Sequence, residues 1–308
     1  MNSPDNRGGE AAVSAHEAMA TTFRIHIAGT PAPQARQAAM AAFEEIDRLE
    51  RILSRYREGS DVHRFNSARA GTWTRISADT AACLRTAFEI SRLTDGAFDP
   101  ALGALTGDPF SETLEFSEPA AAPGWRQVEL DAPGLRARKL HEGVRLDLGA
   151  IGKGCAVDAV MTFLDDWDVP AVLIDSGGST ILARDDAGPV SRWTARLEFG
   201  GHAREVRVQR CALAGSGMAV KGAHIFDGRL GQPHHRAGRV WACAETAAVA
   251  DALSTAFFIM PWNAVVDVCA ALHGSGAAAV DETAAEADAL RFAGAFAALA
   301  HDRPGDSA

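Results

Sequence analysis

The chain has 308 residues, 47% of them hydrophobic and 23% charged, which is material for one large core or two modest ones. A formal net charge of −10 argues against nucleic acid or an anionic membrane as the main partner. It leaves room for an anionic ligand held at a locally positive or metal-bridged site.

Cys83, Cys155, Cys211, Cys243 and Cys269 form no CxxC pair, which points to free, buried thiols in a reducing compartment. The opening MNSPDNRGGEAAVSAHE lacks the basic-then-apolar pattern of an export signal. No apolar run is long enough to span a bilayer, so a cytoplasmic protein is expected.

In chain order, Thr22–Ala28 alternates apolar Phe23, Ile25 and Ile27 with polar Arg24 and His26, the pattern of a half-buried strand. From Pro33 the period becomes helical, with Phe43, Ile46, Leu49 and Leu53 on one face up to about Tyr56. A second helix is expected over Ser77–Leu93, ended by Gly96. Short strands are expected at Arg126–Leu130, Leu135–Leu140 and Val144–Leu148, then a helix over Cys155–Trp167 and a buried strand at Ala171–Asp175. Two or three strands should fall between Trp193 and Leu213, and a helix over Thr246–Met260 is stopped by Pro261.

Helices arrive in blocks between groups of antiparallel-looking strands, which favours an α+β class over a doubly wound sheet. We expect one compact unit over residues 16–300, with disordered ends at 1–15 and 301–308. Gly103–Pro123 reads as an irregular insertion.

Four stretches invite chemistry, and each also has a plain structural explanation. In RLDLGAIGKGCAVDAV, Arg145–Val160, a glycine-rich turn leads into a helix. Unpaired N–H groups at a helix start, with Lys153 beside them, suit a phosphate, yet the same turn can merely reverse the chain. Its spacing is neither that of a dinucleotide fold nor that of a P-loop. In VADALSTAFFIM, Asp251 and Thr255 lie one helical turn apart and can reach a hard cation together. Alternatively, Thr255 bonds a carbonyl one turn back and Asp251 is solvated. In GSGMAVKGAHIFDGRLGQP, His224 suits a general base, a metal ligand or an ordinary packed residue. VLIDSGGST ends a buried strand in a Gly-Gly turn that can lie against a ligand.

Taken together and in order, MATTFRI, RLERILSRYREGSDVHRFN, TDGAFDPALGAL, DLGAIGKG, SGG, HIFDGRLGQP and ADALSTA make the chain resemble the ApbE family of flavin transferases. The resemblance runs from Met19 to about Pro261. It implies Mg2+-dependent transfer of the FMN half of FAD to a threonine or serine hydroxyl of an acceptor protein, with release of AMP. It further implies Asp251 and Thr255 as metal ligands, joined by the Ala150 carbonyl.

Gly149, Lys153 and Gly154 would then line the pyrophosphate. Met19, Thr21, Asp99, Ser176, Gly177, Gly178 and Ser216 would lie near the flavin, with His224 as base or site organiser. A Mg2+-dependent FAD pyrophosphatase and a non-catalytic flavin-binding protein are the alternatives. Departures from the family pattern fall at Ser179, Met218–Val220, Gly228 and Leu230.

Overall fold

The computed structural model describes residues 11–105, 124–186, 193–217, 225–234, 238–281 and 290–301. The chain begins with a hairpin of β1 (Ala12–Ala18) and β2 (Thr21–Ala28), followed by α1 (Ala32–Leu53), α2 (Asp61–Ser67), β3 (Thr74–Arg75) and α3 (Ala78–Leu93). Next come β4 (Val128–Asp131), β5 (Arg136–Lys139), α4 (Gly152–Phe163), β6 (Ala171–Ser176) and β7 (Thr180–Asp185). Strands β8 (Thr194–Phe199), β9 (His202–Arg207), β10 (Cys211–Gly217), β11 (Phe226–Asp227), β12 (Gln232–Pro233) and β13 (Gly238–Ala244) lead to α5 (Ala247–Ile259). The described residues close with α6 (Trp262–Ala271), β14 (Gly276–Asp281), β15 (Arg291–Gly294) and α7 (Ala295–His301).

Eight strands form the central sheet in the order β1-β2-β6-β7-β10-β13-β14-β15, and every neighbouring pair is antiparallel. The α+β class is therefore as expected. Successive side chains alternate between faces, so β6 sends Val172 and Ile174 to one core and Leu173 to another. The first core packs Phe43, Ile46 and Leu49 of α1, Val157 of α4 and Phe257 of α5 over the sheet. The second covers the opposite face with Trp193, the β8–β9 hairpin and Phe296 of α7. All of β6 is buried, since both faces are covered.

Local chemistry sets some of the element boundaries. Ser77 caps α3 by accepting the Thr80 N–H, and the chain leaves that helix through Gly96 at φ +78°. Helix α1 buries Ala35, Ala38, Ala39, Ala42, Phe43, Ile46 and Leu49, the three-and-four spacing of an amphipathic helix.

Two expectations need correction. Val144–Leu148 is not a strand; its one described bridge joins Arg145 to Leu102. The Asn66 side chain instead pairs with both backbone groups of Leu146, donating to its carbonyl at 2.9 Å and accepting its N–H at 2.7 Å. In addition β1 starts at Ala12, inside the stretch expected to be disordered. Among the described residues, no helix is long and apolar enough to cross a membrane.

Candidate active site

Three segments meet at Asp251, a buried residue one turn into α5. Helix α4 opens after the Gly149–Ile151 turn, and its N-cap, Ile151, has no side chain with which to accept an N–H. Asp251 supplies the missing acceptor from another helix: its Oδ2 accepts the Gly154 N–H at 3.2 Å. Its Oδ1 accepts the Thr180 hydroxyl of β7 at 3.0 Å. Lys153 Nζ lies 3.8 Å from Oδ2 and donates to the Gly149 carbonyl at 3.1 Å. A carboxylate, an ammonium and a helix start are thus gathered at one turn.

Close packing enforces that meeting. A Cβ at Gly154 would stand 2.4 Å from the Ala247 carbonyl oxygen and 2.6 Å from Ala248 Cα, so only glycine allows α4 this near to α5. One turn further along α4, Asp158 accepts the N–H groups of Ala247 and Ala248 at 2.7 and 2.8 Å. Burial pushes the Asp158 carboxyl up to about 6, although both N–H bonds favour the charged form.

The turn before α4 is held from outside. Asp147 accepts the Gly149 N–H at 2.9 Å and lies 3.3 Å from Arg55, which donates to the exposed Tyr56 hydroxyl at 2.8 Å.

At the neighbouring strand ends, Met19 and Ala20 form the β1–β2 turn with φ +50° and +57°, a backbone that usually selects Asn-Gly. Two bulkier residues sustained there mark a position held by its surroundings. Beside it, the Thr21 hydroxyl sits 1.8 Å from where a Cβ on Gly177 would be, so Gly177 admits it directly. Gly177 and Gly178 adopt φ +65° and +70°, and Gly178 donates to Asp175 at 2.6 Å. Ser179 completes the turn by bonding the Ser176 carbonyl through its hydroxyl. Ser216 bonds Ser254 at 2.9 Å, and Ser254 donates to the Asp251 carbonyl, which ties β10 to the same turn of α5.

Asp99 lies in a recess lined with Gly96, Gly124, Trp125, Gly228 and Arg229. It accepts the N–H groups of Ala101 and Trp125, and burial raises its carboxyl to about 6. A Cβ at Gly228 would come within 3.1 Å of Asp99 Cβ, a tight approach at that departure.

The structure therefore links Gly149, Lys153, Gly154, Asp251 and Ser216 in one network, and Thr21, Ser176, Gly177 and Gly178 in an adjoining one. Thr255, half-buried, follows Asp251 by one turn, and Ala150 sits half-buried in the turn. His224 and Met218–Val220 lie outside the described residues. Thr180, Asp158, Asp147 and Arg55 escaped sequence reasoning, although Asp158 stands one helical turn after Gly154 and was detectable by that spacing.

A carboxylate, a hydroxyl and a carbonyl are hard oxygen donors with a single formal charge. That set fits Mg2+, which keeps waters and takes phosphate oxygens. Among the described residues no cluster of three or more His, Cys, Asp or Glu could hold a metal by itself.

The sequence model of the ApbE family matches residues 19–280. The chain belongs to the ApbE family. A relative named FAD:protein FMN transferase from Haemophilus influenzae is 27% identical over 246 residues, covering 70% of each chain. One of the same name from Treponema pallidum is 27% identical over 270 residues, covering 76% of this chain and 74% of its own. The crystal structure of the ApbE protein from Thermotoga maritima aligns with a TM-score of 0.81 at 25% identity, covering 95% of this chain and all of that one (100%). All the motifs that converge on Asp251 lie within the span the ApbE family model matches.

Proposed function

We propose that this ApbE-family protein is an enzyme that transfers FMN from FAD to a threonine or serine hydroxyl of an acceptor protein and releases AMP. The observation that carries the reading is the contact of Asp251 with the start of α4, which puts Lys153 and the glycine turn against a metal-competent carboxylate.

The reaction is an in-line displacement at phosphorus, where positioning and charge neutralisation carry most of the catalysis. The acceptor oxygen bonds to the FMN phosphorus while the phosphorus–oxygen bond to the AMP half breaks, and AMP leaves with the bridging oxygen. The hydroxyl proton passes to a base, a role we assign to His224. Lys153 and the N–H groups of the turn hold the pyrophosphate; Asp251, Thr255 and the Ala150 carbonyl would hold Mg2+. When bound, that cation supplies positive charge to the phosphate oxygens.

The test incubates the protein with FAD, Mg2+ and a flavin-acceptor domain, then measures AMP by chromatography and covalent FMN by mass spectrometry. Equal amounts of AMP and protein-bound FMN, both lost on adding EDTA, are expected. AMP without protein-bound FMN would make the enzyme an FAD pyrophosphatase, and intact FAD under every condition would make it a flavin-binding protein.

A further inference from the structure

Asp251 and Thr255 belong to α5, whereas Ala150, Gly149 and Lys153 belong to the turn that opens α4. Nothing in the covalent chain fixes one group against the other, so their registry depends on what joins the two helices. Besides the Lys153–Asp251 ion pair at 3.8 Å, two hydrogen-bonded links among the described residues join them. One is the Gly154 N–H to Asp251 itself, at 3.2 Å. The other is Asp158, which accepts the first two N–H groups of α5 with its two oxygens. A helix's leading N–H groups have no partner within the helix, and here a carboxylate from the neighbouring helix takes two of them. The third, at Val249, goes to the Thr246 hydroxyl at 3.4 Å, a link within α5's own segment.

We infer that Asp158 is a positioning residue: it anchors α5 to α4 so that Asp251 and Thr255 stay in register with the Ala150 turn. The inference rests on the metal reading given under Proposed function. Asp158 touches the backbone of Ala247 and Ala248, not the reacting atoms. Its effect should therefore appear in how well the site takes a metal.

The two caps of α5 supply a built-in control. Asp158→Asn leaves one acceptor oxygen where there were two, and turns an NH2 group toward a backbone donor. Thr246→Ala removes a cap from the same helix end without touching the α4 link. Both should lower thermal stability, but only Asp158→Asn should alter registry.

Mn2+ is the probe, titrated into each intact protein with FAD present and followed by the paramagnetic resonance of free Mn2+. Asp158→Asn should weaken Mn2+ binding about tenfold or more, the scale seen when groups that orient metal ligands are removed. Thr246→Ala should bind Mn2+ as the unsubstituted protein does. If Asp158→Asn fails to fold, Asp158→Ser, whose hydroxyl still accepts one N–H, faces the same titration and the same expectation. Unchanged Mn2+ affinity in the Asp158 variant overturns the inference, as does an equal loss in Thr246→Ala. Absence of Mn2+ binding by the unsubstituted protein would instead sink the metal reading on which the inference stands.

Discussion

Under the proposed reading Asp251 would have two duties, because the carboxylate that organises the start of α4 is also the only formal negative charge proposed for the metal shell. Replacing it with alanine leaves the Gly154 N–H and the Thr180 hydroxyl without their acceptor and, on the proposed metal reading, removes the charge that would attract the cation. Asp251→Ala should reduce Mg2+-dependent AMP release by roughly 100-fold or more, whereas Thr255→Val should lower it only about tenfold, since water can replace a neutral ligand. A Mg2+ titration of AMP release decides this; wild-type rates in Asp251→Ala at every concentration would remove the metal assignment. The placement of both residues on one helix, a turn apart, was legible because a spacing of four is visible in a string of letters. Thr180 was not, because it reaches Asp251 across a strand–helix contact that no local spacing records.

At the scale of elements, α4 and α5 act as one piece. A methyl group at Gly154 has nowhere to go except into the Ala247 carbonyl, a backbone atom that cannot swing aside. Gly154→Ala should therefore lower unfolding free energy by about 1–3 kcal/mol, the usual range for overpacking, even though alanine is the better helix former. Urea denaturation checks it; a change under about 0.5 kcal/mol would mean the helices separate freely. Helices α1, α3 and α5 were readable from their period and stop signals, whereas α4, expected from Cys155, starts at Gly152 with no capping side chain to mark it. The stretch over Val144–Leu148 misled because its alternation of apolar residues is real, yet Asn66 and the Pro100 carbonyl take the backbone groups that a strand would have offered to a neighbour. Strand β14 gave little warning, since Ala277, Ala278 and Ala279 have weak strand preference and are held there by β13 and β15.

For the whole molecule, acid stability depends on groups buried on both faces of the sheet. Burial, with help from the Arg24 charge, lowers His26 to about 4, and its ring meets the edge of Trp193. The unfolded chain therefore binds the His26 proton between its ordinary value and about 4, while the folded chain does not. Stability from this group is present at neutral pH and is lost as pH falls through that window. Asp99 and Asp158, both raised to about 6, work the other way: the folded state takes up their protons first, so stability rises as pH falls below 6. The raw pH curve mixes these opposing slopes, and a variant comparison separates them. Relative to the unsubstituted protein, His26→Phe should gain about 2 kcal/mol between pH 7 and pH 5, measured by denaturation at both values. Equal slopes would mean His26 is protonated in the native state.

The order of strands in the large sheet also constrains how the protein is made. β2 lies beside β6, and Phe23 faces Ser176 across that seam, so the first hairpin leaves the ribosome long before its native partner exists. Until α5 is synthesised, the strands it packs against, β10 and β13, go without that cover, and the start of α4 lacks its carboxylate cap. A nascent chain that stops short of α5 thus exposes apolar strand surface of the kind that recruits chaperones. The same late arrival of Asp251 keeps a half-made chain from joining the start of α4 to Thr180 of β7.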